Sequence, residues 1–262
     1  MQKKNLSRAQ ILFEQHRSSK PFTPFGGTDA IEDIGEAYAV QAALVELELA
    51  HLDVGVAGYK IGLTSPRMQA LLDINSPIAG VVFGNRIHRN NITISRRDYM
   101  NLGIECEIAV RLGRDLSPQS EHFDFTSVAD AVDAVCPAFE LVDDRSADYS
   151  ITDIGSLIAD NSWNAGVVLG EWRTRWSDLD KLEGTVSRNG AILDRGRGAD
   201  VLGHPFIALQ WLANHLRIGT RGLKSGDIIA TGSIVPTRVP TEDETCSFVT
   251  GDLGGVTIAI KD

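Results

Sequence analysis

Between Gly103 and Val110 the chain reads Gly-Ile-Glu-Cys-Glu-Ile-Ala-Val, an apolar stretch of strand character broken by two carboxylates two residues apart. Side chains alternate between faces along a strand, so Glu105 and Glu107 share one face while Ile104, Cys106 and Ile108 share the other. On a strand buried on both sides, two adjacent unpaired carboxylates must take up protons or find a cation, and a divalent metal removes that cost. A third acid of the same kind stands in Ala138-Phe139-Glu140-Leu141-Val142, whose neighbours leave no polar face. The expectation is one metal ion held by Glu105, Glu107 and Glu140 on two strands. The alternation also fits a half-exposed antiparallel strand with its acids in water, and both readings stand at this point. An all-oxygen ligand set favours Mg²⁺ or Mn²⁺ over zinc.

A chain of 262 residues suits one large domain with a small N-terminal subdomain. With 43% apolar and 23% charged residues it has the material for a real core. Twenty-five basic against 35 acidic residues give a net charge of -10, which argues against a nucleic-acid partner or an anionic membrane surface. A small anionic substrate stays open, because a bound metal reverses the sign locally. Cys106, Cys136 and Cys246 are odd in number, widely spaced and in apolar surroundings, as expected of reduced core thiols in a cytoplasmic protein. Met1 to Ser7 has no apolar leader character, and no run approaches the length of a membrane span.

The spacing predicts an amphipathic helix over residues 5–18, ended by the Pro/Gly-rich loop Pro21 to Gly27. Thr28 or Asp29 then caps a longer helix carrying Ile31, Ile34, Tyr38, Val45 and Leu49, with Glu32 closing a capping box. These helices form a candidate N-terminal subdomain, residues 1–54, ahead of a catalytic domain, residues 55–262. Val56 to Thr64 reads as a strand, with Lys60 between Gly58 and Gly62, which let other groups approach closely. Lys60 is either an interior functional lysine or an edge-strand lysine that blunts aggregation. Ser65-Pro66 opens a short helix. Val81 to Phe83 leads into a polar loop and then the Glu105 strand, and Val135 to Val142 forms the Glu140 strand. Asp143 reads as a turn residue and Arg145 as a fixed cation beside the clustered acids.

The polar cluster Ile158-Ala159-Asp160-Asn161-Ser162-Trp163-Asn164, wedged between apolar stretches, reads as a structural loop. Asn189-Gly190 marks a hairpin between Thr185 to Ser187 and Ile192-Leu193. His204-Pro205 opens a helix running to about Gly219, on which His204 and His215 are too far apart to share an ion and read as structural. The remaining tail reads as short strands of one β roll, with Thr231 at a strand end as an anion contact or a plain turn.

Six stretches in order, Gly58-Tyr59-Lys60-Ile61-Gly62-Leu63-Thr64-Ser65, Ile104 to Ala109, Pro137 to Glu140, Ala159-Asp160-Asn161, Leu202-Gly203-His204-Pro205 and Gly226 to Gly232, resemble the 2-keto-4-pentenoate hydratase and 4-oxalocrotonate decarboxylase family of the fumarylacetoacetate hydrolase superfamily. The resemblance spans most of the chain. It implies an α+β fold, a mixed-β roll of the fumarylacetoacetase C-terminal type flanked by helices. It also implies Glu105, Glu107 and Glu140 as ligands of Mg²⁺ or Mn²⁺, Lys60 and Glu105 as catalytic residues, and Leu63, Thr64, Asp160 and Thr231 as substrate contacts.

The implied chemistry is addition of water to 2-hydroxypenta-2,4-dienoate-type acids (2-keto-4-pentenoate) in meta-cleavage catabolism of aromatics, by homo-oligomers that can associate with a pathway hydratase or decarboxylase. Decarboxylation of 4-oxalocrotonate on the same site is the alternative. In hydratases of the family an acid is expected two residues before the Gly80 position, where this chain has Ile78 in the Pro-Ile-x-Gly pattern of decarboxylases. A catalytically silent assembly partner and an acylpyruvate hydrolase are further alternatives, the first opposed by the intact acids and Lys60.

Overall fold

The computed structural model describes residues 2–72, 74–117, 122–216 and 221–262. Helices α1 (Gln2–Arg17) and α2 (Ile34–Leu52) come first and pack through Ala9 and Leu12 against Val40 and Leu44. The cap of α2 is Asp33, whose carboxylate accepts the Glu36 N–H at 2.7 Å, so the start expected at Thr28 or Asp29 is corrected. The cause is Arg8, fully buried, which donates to the carbonyls of Asp29 and Ala30 and to Glu36 at 2.7 Å. That ties residues 27–30 to α1 as a short 3₁₀ turn, and Ile31 and Glu32 precede the helix.

Strands β1 (Val56–Gly62), β2 (Ile78–Phe83) and β3 (Ile87–Arg89) follow, with helix α3 (Pro66–Leu71) capped by Ser65 between the first two. The expected polar loop before the Glu105 strand contains β3 and also β4 (Ile92–Ser95). Then come β5 (Leu102–Leu112), α4 (Phe125–Ala129), β6 (Val132–Asp143), α5 (Ile154–Ala159) and β7 (Asn164–Leu169). The Asn189-Gly190 turn joins β8 (Glu183–Arg188) to β9 (Ala191–Arg197), with both turn residues at positive φ as a hairpin of this type requires. Helix α6 (Pro205–His215) starts on His204, whose Nδ1 accepts the Phe206 N–H at 2.9 Å. It ends at His215, earlier than expected, and Gly219 lies outside the described residues. The last strands are β10 (Ile228–Ser233), β11 (Glu244–Thr250) and β12 (Gly254–Lys261).

Two mixed sheets result, ordered β2-β1-β10-β5-β6-β7-β3 and β4-β12-β11-β8-β9. The tail therefore does not form one roll by itself. Strand β10 inserts between β1 and β5, parallel to β1, while β11 and β12 pair in the second sheet. Strands β5 and β6 are buried on both faces. Ile104, Cys106, Ile108 and Phe139 belong to the large core that also holds Phe248 and Ile258 of the second sheet, and Ala109, Cys136 and Ala138 pack on the opposite face with Val82, Val167 and Ala230. All three cysteines are free and buried. No helix among the described residues is long and apolar enough to cross a membrane.

The edge of β2 is closed by side chains rather than by another strand. Asn161 exchanges two hydrogen bonds with the Val81 backbone at 2.7 and 2.9 Å, as a strand residue would. Ser162 Oγ and Gln41 Nε2 donate to the Ala79 carbonyl, and the Ala79 N–H donates to Tyr38 Oη. Asn161, Ser162 and Trp163 all carry positive φ of 50–57°, a conformation costly for residues with side chains and held here by these bonds.

Helix α1 is latched by His16, which lies 2.6 Å from Asp160 and 3.0 Å from Glu48. Burial disfavours the charged imidazole, but the Asp160 carboxylate, with hydrogen bonds to Asp160 and Glu48, outweighs it and holds the pKa up to about 9. A folded-state pKa above the unfolded value of about 6.5 stabilises fully below that pH and is lost as pH rises towards 9. The urea midpoint of wild type is therefore expected to exceed that of His16→Gln at pH 6, with the gap narrowing up to about pH 9. A gap constant over that range would contradict the latch.

Candidate metal centre and active site

The register of β5 on β6 places Glu105 directly opposite Glu140, and Glu107 one step along opposite Ala138. Like charges opposed across strands are destabilising, so this arrangement demands compensation. Each of the three glutamates offers a carboxylate oxygen within 4.8 Å of the others. Glu107 and Glu140 are fully buried and Glu105 is half-buried at the rim. Lys60 of β1 is also buried and brings Nζ to 3.1 Å from Glu140 Oε1.

The lateral neighbours of Lys60 are Gly80 and Ala230, which keep the space around its stem open. A Cβ at Gly80 would fall 2.5 Å from the Asn161 carbonyl oxygen and 3.3 Å from Lys60 Cγ, so only glycine fits. A Cβ at Gly62 would meet both Lys60 Nζ and Ile78 Cγ1 at 3.3 Å. Ile78 thus presents a buried hydrocarbon side chain close to the Lys60 amine.

Each carboxylate is held through one oxygen by a donor from a different connection. Thr237 Oγ1 donates to Glu105 Oε1 at 2.5 Å, the Gly232 N–H to Glu107 Oε2 at 2.8 Å, and Asn164 Nδ2 to Glu140 Oε1 at 3.0 Å. Glu107 Oε1 and Glu140 Oε2 are buried with no hydrogen-bond partner, which is the state expected of oxygens that belong to a cation. Burial first, then the charges of Glu140 and Glu105, push the Glu107 carboxyl well above the usual carboxylate range. Burial likewise raises Glu140, with Lys60 opposing. Burial alone would lower Lys60, but the charges of Glu140, Glu105 and Glu107 outweigh it and hold the ammonium above its ordinary pKa. The donor set therefore fits a hard divalent cation, whose charge would offset the burial that disfavours ionised Glu107 and Glu140.

The other expected site residues fall into two groups. Thr64 is buried against Gly232, where a Cβ would lie 2.2 Å from its Oγ1, and Leu63 precedes it at positive φ. Thr231 is fully buried and its hydroxyl donates to the Ile108 carbonyl at 2.7 Å. Asp160 stands in a separate network, with one oxygen on His16 and the other on Arg145, both at 2.6 Å. That corrects the expectation for Arg145, whose carboxylate partner is Asp160; the cation beside the glutamates is Lys60. Asp143 accepts the N–H groups of Met100, Asn101 and Arg145, as a turn residue does.

Thr237, Asn164 and the Gly232 N–H were not among the expected site residues. Asn164 stood in a visible polar cluster, but nothing local marked Thr237. Replacing a group that orients a metal ligand typically costs 10- to 100-fold in affinity. Asn164→Ala and Thr237→Val are each expected to weaken Mn²⁺ binding by about that factor in titration calorimetry, and Glu107→Gln by more. Unchanged affinity in Glu107→Gln would remove it from the ligand set.

The family model for the fumarylacetoacetate (FAA) hydrolase C-terminal region matches residues 73–261. The chain is 34% identical over 230 residues to a 2-keto-4-pentenoate hydratase of Paraburkholderia xenovorans, covering 87% of this chain and 84% of that protein. It is 33% identical over 231 residues to the 2-oxo-hept-4-ene-1,7-dioate hydratase of Escherichia coli, covering 85% of each. It superposes with a TM-score of 0.92 on 4-oxalocrotonate decarboxylase from Pseudomonas putida G7, a complex with magnesium and adipate, over 99% of this chain and 98% of that one, at 23% identity.

Proposed function

Since the chain belongs to the fumarylacetoacetate hydrolase family, we propose that it is a divalent-metal-dependent lyase that adds water to 2-hydroxypenta-2,4-dienoate-type acids, yielding 4-hydroxy-2-oxo acids. The observation that carries this reading is the buried set of three carboxylates, two with partnerless oxygens, beside the Lys60 ammonium. The names of relatives at 33–34% identity support the hydratase branch.

Glu105, Glu107 and Glu140 would hold Mg²⁺ or Mn²⁺, which when bound supplies Lewis-acid stabilisation of negative charge on the substrate's 2-oxygen. Lys60, kept protonated by the glutamates, would give a proton to the far carbon of the dienol and recover the one that the 2-hydroxyl loses as it becomes a ketone. Water then adds at the carbon conjugated to that ketone. Glu105, the rim carboxylate of the three, would take the proton that water loses and return it to the carbon beside the ketone, so that water is added across the double bond with no proton left over. Thr64, packed against the Gly232 that donates to Glu107, and its neighbour Leu63 would contact the substrate. The fixed donors Thr237 and Asn164 spare the glutamates reorganisation during the reaction.

Decarboxylation of 4-oxalocrotonate is a second reading, and Ile78 is the observation that favours it. Hydrocarbon near Lys60 Nζ provides no acid or base for water, whereas loss of CO₂ needs only stabilisation of the electron pair left behind. Both reactions pass through the same enolate, so one site suits either.

Purified protein with Mg²⁺ is to be incubated with 2-hydroxypenta-2,4-dienoate and, separately, with 2-oxohex-3-enedioate, following products by NMR and CO₂ release. A 4-hydroxy-2-oxo acid from the first without CO₂ is the expected result. CO₂ from the second, with the first left unhydrated, would replace the hydratase reading by the decarboxylase one. Lys60→Met is expected to lower kcat by about 10²- to 10⁴-fold while leaving Mn²⁺ affinity within a few-fold. Loss of metal binding in that variant would make Lys60 structural.

A further inference from the structure

Beyond the glutamate face, the C-terminal ends of α1 and α2 and the start of β7 enclose a cavity of about 360 Å³, within the size range of small-molecule sites. Most acids on its wall are already engaged. Asp160 is taken by His16 and Arg145, Glu48 by His16, and Asp143 by three backbone N–H groups; Asp98 is exposed at the rim. The arginines are not. Arg17, Arg86 and Arg97 line the same cavity, and none has a carboxylate within ion-pair distance among the described residues. Among the described residues, Arg17 has a hydrogen bond to the His51 ring and lies over the face of Phe13.

The wall carries four acids, Glu48, Asp98, Asp143 and Asp160, against four arginines and His16, so in a chain of net charge -10 it is locally free of negative excess. Three of those arginines have, among the described residues, no acid to neutralise them, and cations left unpaired in a concavity draw anions. Arg145 and Trp163 also belong to its wall, but the partnerless atoms Arg145 Nε and Trp163 Nε1 are buried away from the open space. His16, charged through its contact with Asp160, adds a cation to the same wall.

We propose that this cavity is a binding site for a small oxyanion, a carboxylate or a phosphate, held by Arg17, Arg86 and Arg97. The planar guanidinium fork suits either anion. The site is separate from the glutamates, but Asn164 forms part of its wall and donates to Glu140, so the two share one side chain. It does not rest on the reading of the glutamate face, because none of the three glutamates stands on its wall.

The test is titration calorimetry of the full chain in EDTA at low ionic strength and pH 7, with succinate and with inorganic phosphate in separate runs. One saturable site is expected, and the tighter of the two anions identifies whether the natural ligand is a carboxylate or a phosphate. Arg86→Ala with Arg97→Ala is expected to weaken binding about tenfold or more, equivalent to roughly 1.4 kcal/mol. Arg86→Lys with Arg97→Lys keeps the charge and is expected to stay within a few-fold of wild type, separating lost charge from lost fold. Should the alanine pair not fold, Arg86→Gln and Arg97→Gln are read singly, each expected to weaken binding. No saturable binding of either anion to wild type, or affinity indifferent to the loss of these arginines, overturns the proposal. Failure of the turnover experiment with Mg²⁺ leaves it untouched.

Discussion

The interaction on which the rest of this structure depends is the opposition of Glu105 to Glu140 across β5 and β6, with Glu107 beside them, inside a sheet buried on both faces. Alone, such a set is among the most costly arrangements a core can contain. The fold meets it with one buried cation, Lys60, and with one donor to each carboxylate from Thr237, Gly232 and Asn164. What those groups leave over is a pair of buried oxygens with nothing to bind. Two buried carboxylate oxygens left in that state fit a hard divalent cation.

The surrounding architecture holds that set in place. Strand β2 is kept beside Lys60 by polar side chains, with Asn161 imitating a strand and Ser162, Gln41 and Tyr38 tying Ala79. The left-handed turn at 161–163 aims those side chains at β2 and delivers Asn164 to Glu140 one residue later. Asp160, just before the turn, is gripped by Arg145 and by His16 of α1. The N-terminal helices are therefore coupled to the site through a few charged bonds rather than through apolar packing alone.

Ile78 is where the scaffold leaves the reaction open. An enolate-stabilising face serves both hydration and decarboxylation, and the difference lies in whether a base for water stands near Lys60. Ile78 is buried there, and its hydrocarbon side chain offers neither an acid nor a base. The relatives at 33–34% identity are named as hydratases, and the fold is shared with a decarboxylase of 23% identity.

By itself, the sequence determined the features whose cause is local. Period-two alternation inside apolar runs put the three glutamates on shared strand faces, the glycines around Lys60 marked a close approach, and Asn189-Gly190 specified a hairpin. Only the tertiary structure decided the rest, because the deciding partners are distant in sequence. Arg8 moved the cap of α2 to Asp33, Asp160 rather than the glutamates claimed Arg145, and β10 entered beside β1 by a parallel pairing that no local pattern announces. The donors Thr237 and Asn164 were hidden for the same reason. A hydroxyl or an amide reads as loop material until folding brings it within about 3 Å of a carboxylate, and only then is it part of a site.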